Sequence, residues 1–191
     1  MADAEVKILT ETVRHEIGLD ETGLARLRSE MAAMIASYFT IEDPQTVNCE
    51  GVELRISHEV DGVPMLGILD RLDRDADGGL TIVDYKTGSL PNRNYDTQTF
   101  ANAELYAALC ESALGERPGS IRLLYVSHGQ AVERQVTAPV VLARRRSAAD
   151  AWRRITQFYE EGSFPATPSR SACRFCAFKD LCRSNGVAVV S

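Results

Sequence analysis

The stretch ILDRLDRDADGGLTIVDYKTG, Ile68 to Gly88, constrains the fold of this 191-residue chain more than any other. Two apolar runs, Met65–Asp73 and Leu80–Gly88, flank DADGG, whose residues tolerate positive φ and suit a hairpin connection. Just before them, Val52–Val60 alternates apolar and polar residues, the pattern of a half-buried strand, and DGVP makes the turn between. Three consecutive strands are therefore predicted.

Helices bracket them. Leu24, Leu27, Met31, Met34, Ile35 and Tyr38 recur at helical spacing, which predicts a helix from about Thr22 to Phe39 that stops before Pro44. Thr97–Leu114 reads as a second helix closed by Gly115. Ser120–Ser127 and Ala131–Ala138 read as a fourth and a fifth strand, and about Val140 to Glu161 as a long helix. Helix, three strands, helix, strands, helix is the order of an α/β fold with a mixed central sheet flanked by helices. One domain is expected over residues 1–191, with its core at about 22–161 and a cysteine-rich C-terminal loop at about 162–186.

No apolar stretch approaches the roughly 18 residues of a membrane span, and the N-terminus lacks a signal-peptide core, so a cytoplasmic protein without membrane association is expected. A net charge of −6 argues against a protein that coats nucleic acid non-specifically, yet a local basic groove is compatible with it. The basic residues do cluster, at Arg144–Arg146, Arg153 and Arg154, then Arg170 and Arg174; a solvated helix face and a phosphate-tracking surface both fit.

The chemistry concentrates on the second and third strands. Residues two apart on a strand share a face, so Asp84 and Lys86 point one way and Tyr85 the other. Asp70, near the end of the neighbouring strand, can reach the same side. Two carboxylates and a backbone carbonyl are hard oxygen ligands for Mg²⁺ or Mn²⁺. Such an ion activates a water and neutralises charge on phosphoryl oxygens, and an adjacent lysine orients that water. A hairpin whose ends carry solvated charges is the simpler alternative for D-x-K alone.

The combination is more specific. Gly67–Asp73, GILDRLD, and Val83–Gly88, VDYKTG, resemble the core motifs of the PD-(D/E)XK nuclease superfamily, and most of all those of RecB-family exonucleases. The resemblance implies a restriction-endonuclease-like core. It assigns Asp70 and Asp84 as metal ligands for Mg²⁺ or Mn²⁺, Lys86 as the catalytic lysine and the Tyr85 carbonyl as a further metal contact. Glu53 matches an acid often seen in the family, where it would support the metal, although a surface charge on an edge strand is the simpler reading. On the next helix the family carries a glutamine that packs beside the site or touches DNA, four residues before a tyrosine; Tyr106 matches the tyrosine, although a core aromatic explains it equally, Asn102 stands where the glutamine is expected, and Gln98 lies one turn earlier on the same face. Gln98, Arg153, Arg170 and Arg174 are the candidate nucleic-acid contacts.

Cys173, Cys176 and Cys182 form a C-x2-C-x5-C cluster whose spacing suits zinc or an iron–sulfur centre. His15, His58 and His128 are remote from it. The segment from Phe164 to Gly186 resembles the C-terminal signature of RecB-family nucleases that carry a [4Fe–4S] cluster. There three cysteines come from the C-terminus and the fourth from a segment before the core, for which no counterpart is expected here; Cys49 and Cys110 do not match it, and His15 lacks the context of the family's metal-associated histidine. An incomplete or absent cluster and lowered stability are therefore also expected.

The resemblance implies a metal-dependent DNA exonuclease acting on single-stranded ends in repair or recombination, with a helicase as a candidate partner. Two alternatives stand beside it: a truncated, catalytically weak remnant that binds DNA or a partner, and a zinc-stapled structural module.

Overall fold

A computed structural model of the chain describes residues 16, 18–90 and 99–186. The elements are α1 (Glu21–Ile41), a 3-10 turn (Pro44–Thr46), β1 (Cys49–Val60), β2 (Val63–Arg74), β3 (Leu80–Lys86), α2 (Ala101–Leu114), β4 (Ser120–Tyr125), β5 (Gln130–Gln135), α3 (Ala138–Glu160), α4 (Arg170–Arg174) and α5 (Lys179–Ser184). The chain forms two compact units, Met1–Ala149 and Asp150–Ser191, with the boundary inside α3.

Local chemistry sets these limits. Asp20 caps α1, its carboxylate accepting from Gly23 N–H at 2.7 Å. Gly115, at φ 73°, ends α2 in the left-handed conformation that side chains avoid. Asp75 accepts from the Asp77 and Gly79 N–H groups at 3.0 and 2.7 Å, which closes the β2–β3 hairpin.

The five strands form one sheet in the order β1-β2-β3-β4-β5. Every pair is antiparallel except β3 with β4, which run parallel and are joined through α2. This is the mixed sheet flanked by helices that the element order predicts. The core lies between the sheet and α2: Leu69, Leu72, Leu80, Ile82, Ile121 and Leu123 meet Phe100, Ala103, Ala107, Ala108 and Leu109. Gly67 permits the close approach, since a Cβ there would lie 2.9 Å from Leu109 Cδ2 and 3.0 Å from the Tyr106 ring.

Two ion-pair systems lock the first unit. Glu104 of α2, 2% exposed, takes Arg134 Nη1 at 3.1 Å and Arg144 Nη2 at 2.6 Å. Arg145 reaches Asp61, Glu111 and Ser112. The first two arginines of the Arg144–Arg146 run therefore clamp the fold, which separates them from the phosphate-tracking set.

On the opposite side of the sheet, Arg71, 4% exposed, donates from Nη1 to Glu42 Oε1 and to the Tyr85 hydroxyl, both at 2.7 Å, and pairs through Nε with Asp73 at 2.9 Å. Arg122 and the Tyr38 hydroxyl also donate to Glu42, at 3.1 and 3.0 Å. Burial alone would raise the Glu42 carboxyl; the Arg71 hydrogen bond and charge outweigh it and hold the group below its ordinary value. Burial, reinforced by the bond to Glu42, pushes the Tyr38 hydroxyl up to about 12.

Candidate active site

The sheet forks where the acids stand. The β2–β3 ladder runs from Arg74↔Leu80 to Arg71↔Val83 and stops. Beyond that point β2 continues with β1 as far as Val63, and β3 continues with β4 as far as Lys86. Extended by one pair, the register sets Asp70 opposite Asp84. With the ladder ended, the Tyr85 N–H donates to Asp70 Oδ2 at 2.8 Å, so a side chain takes the place of a strand carbonyl.

Asp84 and Lys86 continue the row of Leu80 and Ile82, which belongs to the core on the α2 side. Tyr85 points to the other face, against Tyr38 at a ring-centroid distance of 6.0 Å and under Arg71. Lys86 Nζ lies 2.6 Å from Asp84 Oδ2. That oxygen is buried, and the Lys86 ammonium is the partner that offsets its charge. Burial raises the Asp84 carboxyl above its ordinary value; Lys86 pulls it down, and the charge of Asp70 pushes it up again. The two carboxylates are close enough to repel each other.

That raised value has a consequence for stability. A carboxyl raised on folding opposes the fold once it ionises, and the penalty is absent below its ordinary value of 3.8. Asp84→Asn is accordingly expected to raise the melting midpoint of the metal-free protein at pH 7, and the gain should vanish by about pH 3.5. Thermal denaturation at both pH values checks this; a midpoint lowered at pH 7 would contradict it.

Two features of this row escape sequence reasoning. Leu69 and Leu72 lie in the same core, although residues three apart on a regular strand face opposite sides, so the alternation of β2 changes phase across Asp70 and Arg71. On β1, Glu53 stands between the pairs Val52↔Arg71 and Leu54↔Leu69, opposite Asp70, with φ at 47°. A left-handed glutamate in a strand is rare, and such distortion gathers at functional sites. No residue type announces it, since glycine or asparagine would be the usual signal.

The other expected residues are placed as follows. Glu53 is exposed on the edge strand β1. Tyr106 is partly buried and packs beside Gly67, three residues before Asp70; Asn102 is exposed on α2. Gln98 and His15 lie outside the described residues. Arg153 pairs with Asp150, Arg170 opens α4 and Arg174 lies over the Phe175 ring, all three in the second unit.

Also in the second unit, Cys173, Cys176 and Cys182 line one cavity with Ala166, Thr167, Pro168, Ala172 and Lys179. All are free thiols. Sulfur donors suit iron or zinc, but among the described residues no three ligand-type side chains converge into a metal-holding group. Cys110 is wholly buried in the core of the first unit, and burial pushes its thiol up to about 11, so it packs as a small apolar residue.

The family model of the PD-(D/E)XK nuclease superfamily matches residues 2–183. The chain belongs to that superfamily. Among solved structures it is similar to the crystal structure of SSO0001, at 13% identity over 92% of this chain and 81% of that one, with a TM-score of 0.47. No curated protein matches. Among the described residues no helix is long and apolar enough to cross a membrane.

Proposed function

We propose that the protein is a divalent-metal-dependent DNA exonuclease of the RecB type, with Asp70 and Asp84 as metal ligands and Lys86 as the catalytic lysine. The observation that carries this reading is the fork, where the Asp70 carboxylate, the buried Asp84 Oδ2 and the Lys86 ammonium stand together. The donor set fits Mg²⁺ or Mn²⁺: both acids offer hard oxygens, and the charge of Asp70 bears on the half-buried Asp84 beside it. When bound, such an ion lowers the pKa of water and offsets charge on the phosphoryl oxygens.

The residues of the chain do the rest. The Tyr85 N–H fixes one oxygen of Asp70 and so orients the other. Arg71 anchors the Tyr85 hydroxyl on the far face, which holds the strand that carries Asp84 and Lys86. The Lys86 ammonium orients the attacking water and adds positive charge beside the phosphate. The Tyr85 carbonyl and Glu53 are the supporting groups of this reading. Water adds to phosphorus, the bond to the leaving sugar oxygen breaks, and that oxygen takes up a proton.

Cleavage of a labelled oligonucleotide should require Mg²⁺ or Mn²⁺, fall to background with a chelator and return when the ion is restored. Cleavage that persists in chelator would end the metal-dependent reading. Single-stranded ends as substrate, a role in repair or recombination and a helicase partner rest on the resemblance to RecB-family enzymes. So does the iron–sulfur centre, for which the cavity shared by the three cysteines is the supporting observation. Metal analysis after anaerobic purification should find iron and labile sulfide. Zinc would favour a structural staple, and an absence of both would leave the cysteines without a metal.

A further inference from the structure

β1 is an edge strand: among the described residues it pairs with β2 on one side and with no strand on the other. Glu53, with φ at 47°, and Asp61, with φ at 51°, bound its regular part, Leu54–Val60, whose midpoint is Ser57. Asp61 and Gly62, the latter at φ 82°, form a two-residue turn of the primed type, closed by the pair Val60↔Val63. The closing residues of such a turn exchange both backbone hydrogen bonds, and the pattern then alternates along the strand. The N–H and C=O groups of Leu54, Ile56, His58 and Val60 therefore point at β2, and those of Arg55, Ser57 and Glu59 point out from the sheet edge. Long edges are usually blunted by proline or lysine, and Leu54–Val60 holds neither.

The side chains say what fits there. Ile56 and Val60 belong to the core, so Arg55, Ser57 and Glu59 share the opposite face, and all three are exposed. Arg55 and Glu59 have no ion-pair partner among the described residues. They stand equally far from Ser57, on either side of it. We propose that β1 pairs antiparallel with the β1 of a second copy of this chain, Ser57 opposite Ser57, which joins two five-stranded sheets into one. A two-fold contact needs a self-complementary surface, and this one is: each Arg55 faces the Glu59 of the other copy, and the outward backbone groups of all three residues find partners. Opposite charges directly across a strand pair stabilise it, and like charges destabilise it. Sliding the copy by two residues parts both Arg55–Glu59 pairs, and sliding it by four sets Arg55 against Arg55 or Glu59 against Glu59. Leu66 and Ile68, 53% and 45% exposed, flank Ser57 and Arg55 on the same face and shelter the charge pairs. Cross-strand neighbours share a face, so both candidate active sites lie on one side of the joined sheet. The pairing does not depend on the nuclease reading.

Sedimentation of the full, metal-free chain across the micromolar range should show a reversible equilibrium between the 21.0 kDa monomer and a dimer of twice that mass. Arg55→Glu should weaken the dimer about tenfold or more, because both charge pairs become like-charged, and Glu59→Arg should do the same. Combining the two substitutions in one chain should restore wild-type association, since the charges are exchanged but still opposed. Mixing the two single variants should also restore it, because a chain acidic at both positions then meets a chain basic at both. Both side chains are exposed, so circular dichroism should show every variant folded. A wild type that stays monomeric throughout the range, single variants that associate like wild type, or a double variant and a mixture that both fail to recover would each overturn the pairing.

Discussion

Asp84→Ala is expected to reduce metal-dependent cleavage at least about 100-fold while leaving the protein folded. The loss follows from geometry: Asp84 supplies the buried oxygen of the pair and holds Lys86 at 2.6 Å, so its removal disturbs the metal and the lysine together. The fold tolerates the change because ionised Asp84 is a net burden on the metal-free protein. Lys86, whose side chain is 39% exposed, reaches water once its partner is gone. Lys86→Ala should cost a similar factor in rate. Gel assays of single turnover, with circular dichroism and melting curves as controls, check both variants. Equal cleavage by wild type and Asp84→Ala would end the assignment.

Arg71→Ala is expected to cause the largest loss of stability from a single change. Arg71 is buried among Glu42, Asp73 and the Tyr85 hydroxyl, and its removal leaves two carboxylates buried without their main cation. Breaking a buried pair on one side costs about 3–5 kcal/mol. For a chain of this size that is about 10 °C in melting midpoint. The network is also sensitive to acid. Glu42 is held below its ordinary 4.5, so its contribution is present above that pH and is lost as pH falls through its folded value. The destabilisation caused by Arg71→Ala should therefore shrink in acid. A midpoint within about 2 °C of wild type at pH 7 would show that the network contributes little. Because Arg71 also anchors Tyr85, the variant should lose activity below its melting range, although it touches neither metal nor substrate.

Much of this architecture is legible in the residues. Alternation from Val52 to Val60, the glycine hairpin at Gly78 and Gly79, and Gly115 after a helical run each act over a few residues, and the observed elements follow them within a few positions. The D-x-K spacing on β3 is legible for the same reason, since strand geometry alone puts Asp84 and Lys86 on one side. What escapes is non-local. Arg71 meets Glu42 across 29 positions, and nothing near either residue signals the pairing. Arg144 and Arg145 look like part of a phosphate-binding run, yet their partners Glu104, Asp61 and Glu111 come from other elements. The phase change at Asp70 and the left-handed Glu53 lie where the β2–β3 ladder ends, which a pattern read along one strand does not contain.

The central claim is that Asp70 and Asp84 share one divalent ion. A crystal soaked in Mn²⁺ and measured for anomalous scattering tests it most directly. One manganese peak, about 2.2 Å from a carboxylate oxygen of each aspartate, is the result expected of oxygen ligation. A map with no peak between the two side chains at saturating Mn²⁺, or with Asp70 turned away from Asp84, would contradict the account.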